Sequence, residues 1–330
     1  MILQGIRLRR YYPWGRSLLS PRRWVRAVED VSIGVEAGQT VALVGESGSG
    51  KTTTARLLLG LETPTAGQVL FKGQPLDALV GPARHAFRRA VQPIFQDSTA
   101  SLNPRKTVAH SVGLGLAASG VPSADRHRQI VQLLEEVGLE PAAAFLDRFP
   151  HQLSGGQRQR VNIARALATS PEVIVADEPV SALDLSVRAQ ILLLLLRLQR
   201  ERQLAYIFIS HDLAVVRSIA HRVAVMYLGR IVEEGPTEDV FRYPSHPYTE
   251  ALISATPVPD PRTKRERIIL AGDVPSPLSP PPGCPFHPRC PVVADICRTV
   301  FPPVVDLGNG HNAACHFARE RAGAFGKPKR

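Results

Sequence analysis

Gly45-Glu46-Ser47-Gly48-Ser49-Gly50-Lys51-Thr52 follows the apolar run Thr40-Val41-Ala42-Leu43-Val44 and precedes a helix-like segment from Thr53 to Leu61. The order is strand, glycine loop, helix. The pattern G-x-x-x-x-G-K-[ST] needs its glycines so that successive backbone N–H groups can curl round a phosphate, while the helix N-terminus adds positive potential. Lys51 is placed to reach the β- and γ-phosphates and the Thr52 hydroxyl to bind Mg²⁺, so Gly45 to Thr53 is the expected nucleotide-binding stretch. A glycine-rich turn with a chance Lys-Thr is the bland alternative. The whole pattern standing in its required context argues against it.

At 330 residues the chain has room for one large domain and a smaller one, or for two of ordinary size. Hydrophobic content of 44% and charged content of 21% are globular values. The longest greasy run, Ile191 to Leu196, falls far short of the roughly 18 apolar residues that a membrane helix needs. Met1 to Arg7 lacks a signal-peptide core and cleavage site, so the chain is expected in the cytoplasm, with any membrane role exercised through partners. Net charge is +11, and Arg7, Arg9, Arg10, Arg16, Arg22, Arg23 and Arg26 all precede the first acidic residue, Glu29. Together with the tail Lys327-Pro328-Lys329-Arg330, this excess suits an anionic surface, and it equally suits a solvated basic face.

Val28, Val31, Ile33 and Val35 alternate with Asp30, Ser32 and Gly34 and predict an N-terminal β segment, with a further β pair near Gly67 to Lys72. From Asp97 to about Pro150 the texture is helical and alanine-rich, as in Arg126 to Val137. Val173-Ile174-Val175-Ala176 and Tyr206 to Ser210 are uninterrupted apolar runs of the kind strands show when both faces are covered. Val223 to Tyr227 opens a hairpin turning at Gly229. Strands alternating with helices predict a doubly wound α/β core. After Gly235 prolines accumulate, and Pro275 to Pro282 reads as an extended connector. The main boundary is placed near 236.

Asp177-Glu178 ends an apolar strand, at the sheet edge where open α/β folds put their ligands. Asp177 is expected to hold Mg²⁺ and Glu178 to polarise the water that attacks the γ-phosphate. Leu153-Ser154-Gly155-Gly156-Gln157 precedes the helical Val161 to Leu167. Ser154 is a natural N-cap and the two glycines leave backbone N–H groups unshielded, which makes a second anion-binding helix start.

These segments resemble the ATP-binding cassette family. Gly45 to Thr52 is similar to its Walker A, Leu153 to Gln157 to its signature, Val173 to Glu178 to its Walker B, and Ser181 to Asp184 to its D-loop. Gln96 is similar to the Q-loop glutamine and His211 to the switch histidine. The resemblance implies an α/β fold: a P-loop, RecA-like cassette over residues 1–235, with a β subdomain and a helical insert at about 97–155. A small Pro- and Cys-rich C-terminal domain, 236–330, completes it. It also implies a head-to-tail dimer in which each ATP lies between one Walker A and the partner's Ser154-Gly155-Gly156-Gln157. Glu178 and His211 are then catalytic, Thr52, Gln96 and Asp177 hold Mg²⁺, and Trp24, with Tyr11 and Tyr12 behind it, is the candidate for stacking on adenine.

Arg242 to Thr249 contains His246-Pro247-Tyr248 and resembles the motif of oligopeptide and dipeptide permease ATPases. That branch implies an ATP-hydrolysing subunit of a peptide importer on the cytoplasmic side of the cell membrane. Its partners are a second, non-identical ATPase subunit, two transmembrane permease subunits and, indirectly, an extracytoplasmic substrate-binding protein. No nucleic acid is expected. Alternatives are the ATPase of a nickel or metallophore importer and a soluble cassette ATPase outside transport. Cys284, Cys290, Cys297 and Cys315, spaced C-x₅-C-x₆-C-x₁₇-C, lack the close pairs usual for zinc. Their spacing favours a [4Fe–4S] cluster, with zinc or no metal as alternatives.

Overall fold

A computed structural model describes residues 1–15, 23–256 and 267–326. Arg16, Arg22 and the basic tail Lys327 to Arg330 lie outside the described residues. The chain begins with strands β1 (Leu3–Trp14), β2 (Arg23–Val35) and β3 (Thr40–Val44), then helix α1 (Lys51–Leu58), strands β4 (Ala66–Phe71) and β5 (Gln74–Pro75), helix α2 (Gly81–Ala90) and strand β6 (Val91–Ile94). Next come helices α3 (Val108–Ala118), α4 (Ser123–Glu136) and α5 (Gly155–Leu167), strand β7 (Val173–Asp177), helix α6 (Leu185–Arg202), strand β8 (Ala205–Ser210) and helix α7 (Leu213–Ile219). Strands β9 (Arg222–Tyr227) and β10 (Arg230–Pro236), helices α8 (Thr237–Arg242), α9 (Pro247–Ser254) and α10 (Asp295–Thr299), strands β11 (Val304–Asp306) and β12 (Asn312–Ala314) and helix α11 (Ala318–Ala324) complete it. Two compact units result: Met1–Leu3 with Val35–Gln39 and Leu70–Ile209, and Gln4–Gly34 with Thr40–Val69 and Ser210–Arg330.

In the first unit, β6, β7 and β8 run parallel in that order, with Val91 opposite Val173 and Val173 opposite Ala205. Every residue of β7 and β8 is buried, which is why both read as unbroken apolar runs. Helices α3, α4 and α5 pack on one another. On α4, Ile130, Leu133 and Leu134 are buried at spacings of three and four, one helical face turned inward.

In the second unit, β3 runs parallel to β9, and β9 turns at Gly229, with φ of 81°, into antiparallel β10. Strand β12 then pairs with β10, Glu233 opposite Ala313, and β11 pairs with β12. The proline-rich segment beyond 236 therefore returns to the same sheet. Three of the N-terminal arginines are paired: Arg7 with Asp30 at 3.0 Å, Arg9 with Glu29 at 3.5 Å and Arg10 with Glu62 at 3.0 Å.

Buried polar groups fasten this return. The Glu233 carboxylate accepts from the backbone N–H groups of Ser245 at 2.8 Å and His246 at 2.9 Å, and meets His311 Nε2 at 2.7 Å. Pro247 occupies the first turn of α9, where its missing N–H has no cost, and His246 Nδ1 caps the helix by accepting from Tyr248 N at 3.1 Å. Tyr248 in turn packs on Tyr227 at 4.7 Å and on Phe286 at 5.5 Å between ring centroids.

Burial pushes the His246 imidazole down to about 3, and the Arg321 charge adds to the shift. The unfolded chain takes up that proton near a pKa of about 6.5 and the folded chain does not. The contribution is complete above about pH 6.5 and is lost as pH falls from there towards about 3, at up to about 1.4 kcal/mol per unit. Urea midpoints measured at about pH 7.5 and about pH 5 should fall in the parent and fall less in His246→Asn, which keeps a capping oxygen.

Candidate functional site

The loop Gly45 to Lys51 leaves β3 and enters α1 with almost no room for side chains. A Cβ on Gly45 would lie 2.2 Å from Met226 O, and one on Gly50 2.2 Å from Ala27 O, with φ of +153° and +106° at the two positions. Only glycine meets both conditions. A Cβ on Gly48 would meet nothing within 4 Å, so the loop's outer side is open. Gly229 N–H donates to Ser49 O at 2.9 Å and bolts the loop to the β9–β10 turn. Lys51 is buried, and its ammonium donates to Gly45 O at 2.7 Å and Glu46 O at 2.9 Å. Ser49 Oγ is buried with no hydrogen-bond partner among the described residues, an orphaned polar atom inside the cradle. Such a cradle fits a phosphate group.

Glu46, the second residue of the loop, is held through its carboxylate, its N–H and its carbonyl. Arg289 grips its carboxylate with two hydrogen bonds of 2.7 Å and 3.1 Å, and its backbone N–H donates to the Tyr248 hydroxyl at 2.8 Å. Tyr248 stood in a sequence motif without a role, and nothing beyond its neighbour Cys290 drew attention to Arg289.

Within the first unit, Asp177 and Glu178 stand at the end of β7, Asp177 buried and Glu178 half-buried. Glu178 has φ of 47°, a left-handed conformation for a residue with a side chain. Its N–H donates to Ile209 O at 3.0 Å, and Ser181 Oγ donates to its carbonyl at 3.1 Å. Gln96 Nε2 donates to Glu178 Oε2 at 3.0 Å. The structure thus brings Gln96 onto the carboxylate expected to polarise water, a contact the sequence did not suggest.

Ser154 is exposed at the tip of α5. Its Oγ accepts from Gln157 N at 3.2 Å, and the Gln157 amide oxygen accepts from Ser154 N at 2.9 Å, a reciprocal capping box. Gly156 lies so near α6 that a Cβ would stand 2.6 Å from Val187 Cγ1. His211 is exposed in the bend after β8. Trp24 is 44% exposed on β2, whereas Tyr11 and Tyr12 direct their hydroxyls to Glu29 and Glu62.

The expected cysteine site receives no support from the side-chain arrangement. Among the described residues, no group of three or more His, Cys, Asp or Glu side chains is arranged to hold a metal ion. Cys284, Cys297 and Cys315 are instead buried thiols. Burial first, then the neighbouring thiols, raises Cys284 to about 11.

An open phosphate cradle and a capped Ser-Gly-Gly helix start, on an α/β scaffold with an acid-tipped parallel strand, are the parts of an ATP-binding cassette. Known proteins agree. The ABC transporter family pattern matches residues 28–181, and that of the oligopeptide/dipeptide transporter C-terminal region matches 232–297. A probable peptide ABC transporter ATP-binding protein of Sinorhizobium fredii is 52% identical over 92% of this chain and 86% of its own. The dipeptide transport ATP-binding protein of Haemophilus influenzae is 47% identical over 95% of this chain and 96% of its own. A solved dimeric cassette, MJ0796, in a post-hydrolysis state bound to ADP and Pi, superposes with a TM-score of 0.62 at 29% identity, covering 71% of this chain and 98% of that one. The chain belongs to the ABC transporter family, in the branch whose ATP-binding subunits carry the oligopeptide/dipeptide transporter C-terminal region.

Ser154→Ala removes the acceptor of the α5 capping box. It should lower unfolding stability by about 1 kcal/mol in urea titrations, and Ser154→Asp, which restores an acceptor, should recover most of it.

Proposed function

We propose that this chain binds MgATP and hydrolyses it to drive uptake of peptides through separate membrane subunits. The observation that carries the reading is the seating of the His246-Pro247-Tyr248 segment on the phosphate loop: the part that marks the peptide-transport branch holds the part that marks the ATPase. The named activities of the relatives, at near-complete coverage, support the same reading. Among the described residues no helix is long and apolar enough to cross a membrane. Passage of the substrate is assigned to partner chains, with this subunit on the cytoplasmic face, a reading supported by the relatives named as ATP-binding proteins of peptide transport.

Each residue has a chemical task. The amides of Gly45 to Lys51 and the Lys51 ammonium take the β- and γ-phosphates. Thr52, Gln96 and Asp177 hold Mg²⁺, an ion that neutralises charge developing on the phosphate oxygens. Glu178 accepts a hydrogen bond from the attacking water and is kept in place by Gln96. His211 contacts the γ-phosphate, and Trp24 stacks on adenine. Ser154, Gly155, Gly156 and Gln157 serve the nucleotide of a partner cassette, a role suited to an exposed helix start. The partner is a similar, non-identical chain. Residues 1–235 act as the cassette and 236–330 as the extension that gives the branch its character.

The four cysteines belong to this reading as a [4Fe–4S] site only if ligation rearranges their side chains. What favours it is that all four cysteines of the chain fall between positions 284 and 315, and that Cys284, Cys297 and Cys315 are buried. Protein purified without oxygen should then be brown, and Cys290→Ser should bleach it. Colourless protein removes the cluster from the account and leaves the ATPase untouched.

Glu178→Gln keeps the size of the side chain and removes its charge. ATP turnover in the assembled transporter should fall by about 100-fold or more, while ATP-dependent pairing of the cassettes persists. Parental turnover in this variant sinks the assignment.

A further inference from the structure

The phosphate loop is assembled from the residues least able to hold a shape. Gly45, Gly48 and Gly50 all sit at positive φ, and a glycine-rich backbone has the most conformations to lose when it becomes ordered. Amides that grip a phosphate must already point inward for binding to be strong. Within Gly45 to Lys51, Glu46 is where outside elements take hold most completely. Its carboxylate receives both Arg289 nitrogens, at 2.7 Å and 3.1 Å, and its N–H donates to Tyr248 Oη at 2.8 Å. Its carbonyl accepts from Lys51 Nζ at 2.9 Å.

Both outside groups belong to the C-terminal extension, and both are anchored. Tyr248 is fully buried between Tyr227 and Phe286. The Arg289 side chain is only 8% exposed, at the end of the short turn His287–Arg289. That turn follows directly on Phe286, whose ring packs on Tyr227 at 5.2 Å and Tyr248 at 5.5 Å. A partly buried, two-pronged guanidinium–carboxylate pair fixes direction as well as distance. If the pair served only to staple the extension down, any surface carboxylate would do. Here it ends on the loop itself, one residue after Gly45.

We propose that Arg289 and Tyr248 are positioning residues for the phosphate loop: by gripping Glu46 they hold the amide cradle and Lys51 in the shape that binds nucleotide, so the extension sets the chain's affinity for ATP. The proposal rests on reading Gly45 to Thr52 as the nucleotide site. Each acts through Glu46.

Affinity of the full chain for a fluorescent ATP analogue with Mg²⁺, measured beside its thermal unfolding midpoint, separates positioning from stapling. Arg289→Met and Glu46→Gln should each weaken binding by about tenfold in protein that is still folded at the assay temperature. Arg289→Lys, which keeps the charge and loses the fork, should recover part of the loss. Tyr248→Phe removes one hydroxyl and leaves the aromatic packing, so it decides the matter should Arg289→Met fail to fold; a several-fold loss is expected. In the assembled transporter the loss should appear in KM with kcat nearly unchanged. Parental affinity in folded Glu46→Gln and Tyr248→Phe overturns the proposal, even where their unfolding midpoints drop. A parent chain that does not bind the analogue overturns the nucleotide reading instead, which is a different result.

Discussion

Two points of backbone contact govern the phosphate loop: Met226 O against Gly45 and Ala27 O against Gly50, each so close that no Cβ fits. Strands β2 and β9 meet the loop there without an intervening side chain, and the ring of amides between the two glycines is shaped by that approach. A loop pressed this tightly has little freedom inward. Its outward freedom is limited by Ser49 O, which accepts from Gly229 N, and by Glu46, held from the extension. The cradle is thus a product of packing as much as of glycine flexibility.

The extension is fastened with buried polar groups and aromatic rings, and each satisfies a need created by another. Glu233, almost wholly buried, would be costly as a carboxylate in an apolar core were it not accepting two backbone N–H bonds and meeting His311. Those same N–H groups belong to the approach to α9, where they have no helical partner of their own. The ring cluster of Tyr227, Tyr248 and Phe286 then carries the apolar burial. One polar knot and one aromatic knot therefore join the end of the chain to β9, β10 and the loop after β3.

In the other unit the functional groups ride on parallel strands and a capped helix. Strand β7 is buried along its whole length, Asp177 at its end included, and the half-buried Glu178 follows it. Glu178 leaves the strand through a left-handed conformation that an ordinary surface residue would avoid. Such strain persists only where surrounding bonds fix it, here those to Ile209, Ser181 and Gln96.

The amino-acid sequence by itself determined the strand–loop–helix at Gly45 to Thr52, the buried parallel strands, the capped start of α5 and the family, because each rests on neighbours in the chain or on short periodic patterns. It also indicated the hairpin turning at Gly229. It did not show which carboxylates pair with the N-terminal arginines, and it led to a metal cluster at the four cysteines that the described side chains are not arranged to hold, since pairing and ligand geometry depend on residues far apart in sequence. Only the tertiary structure decided that β12 would rejoin β10 and that Gln96 would meet Glu178. It alone showed Arg289, 243 positions from Glu46, closing on the phosphate loop. Spacing along a chain encodes local hydrogen bonds, and contacts across it are fixed by how the core packs.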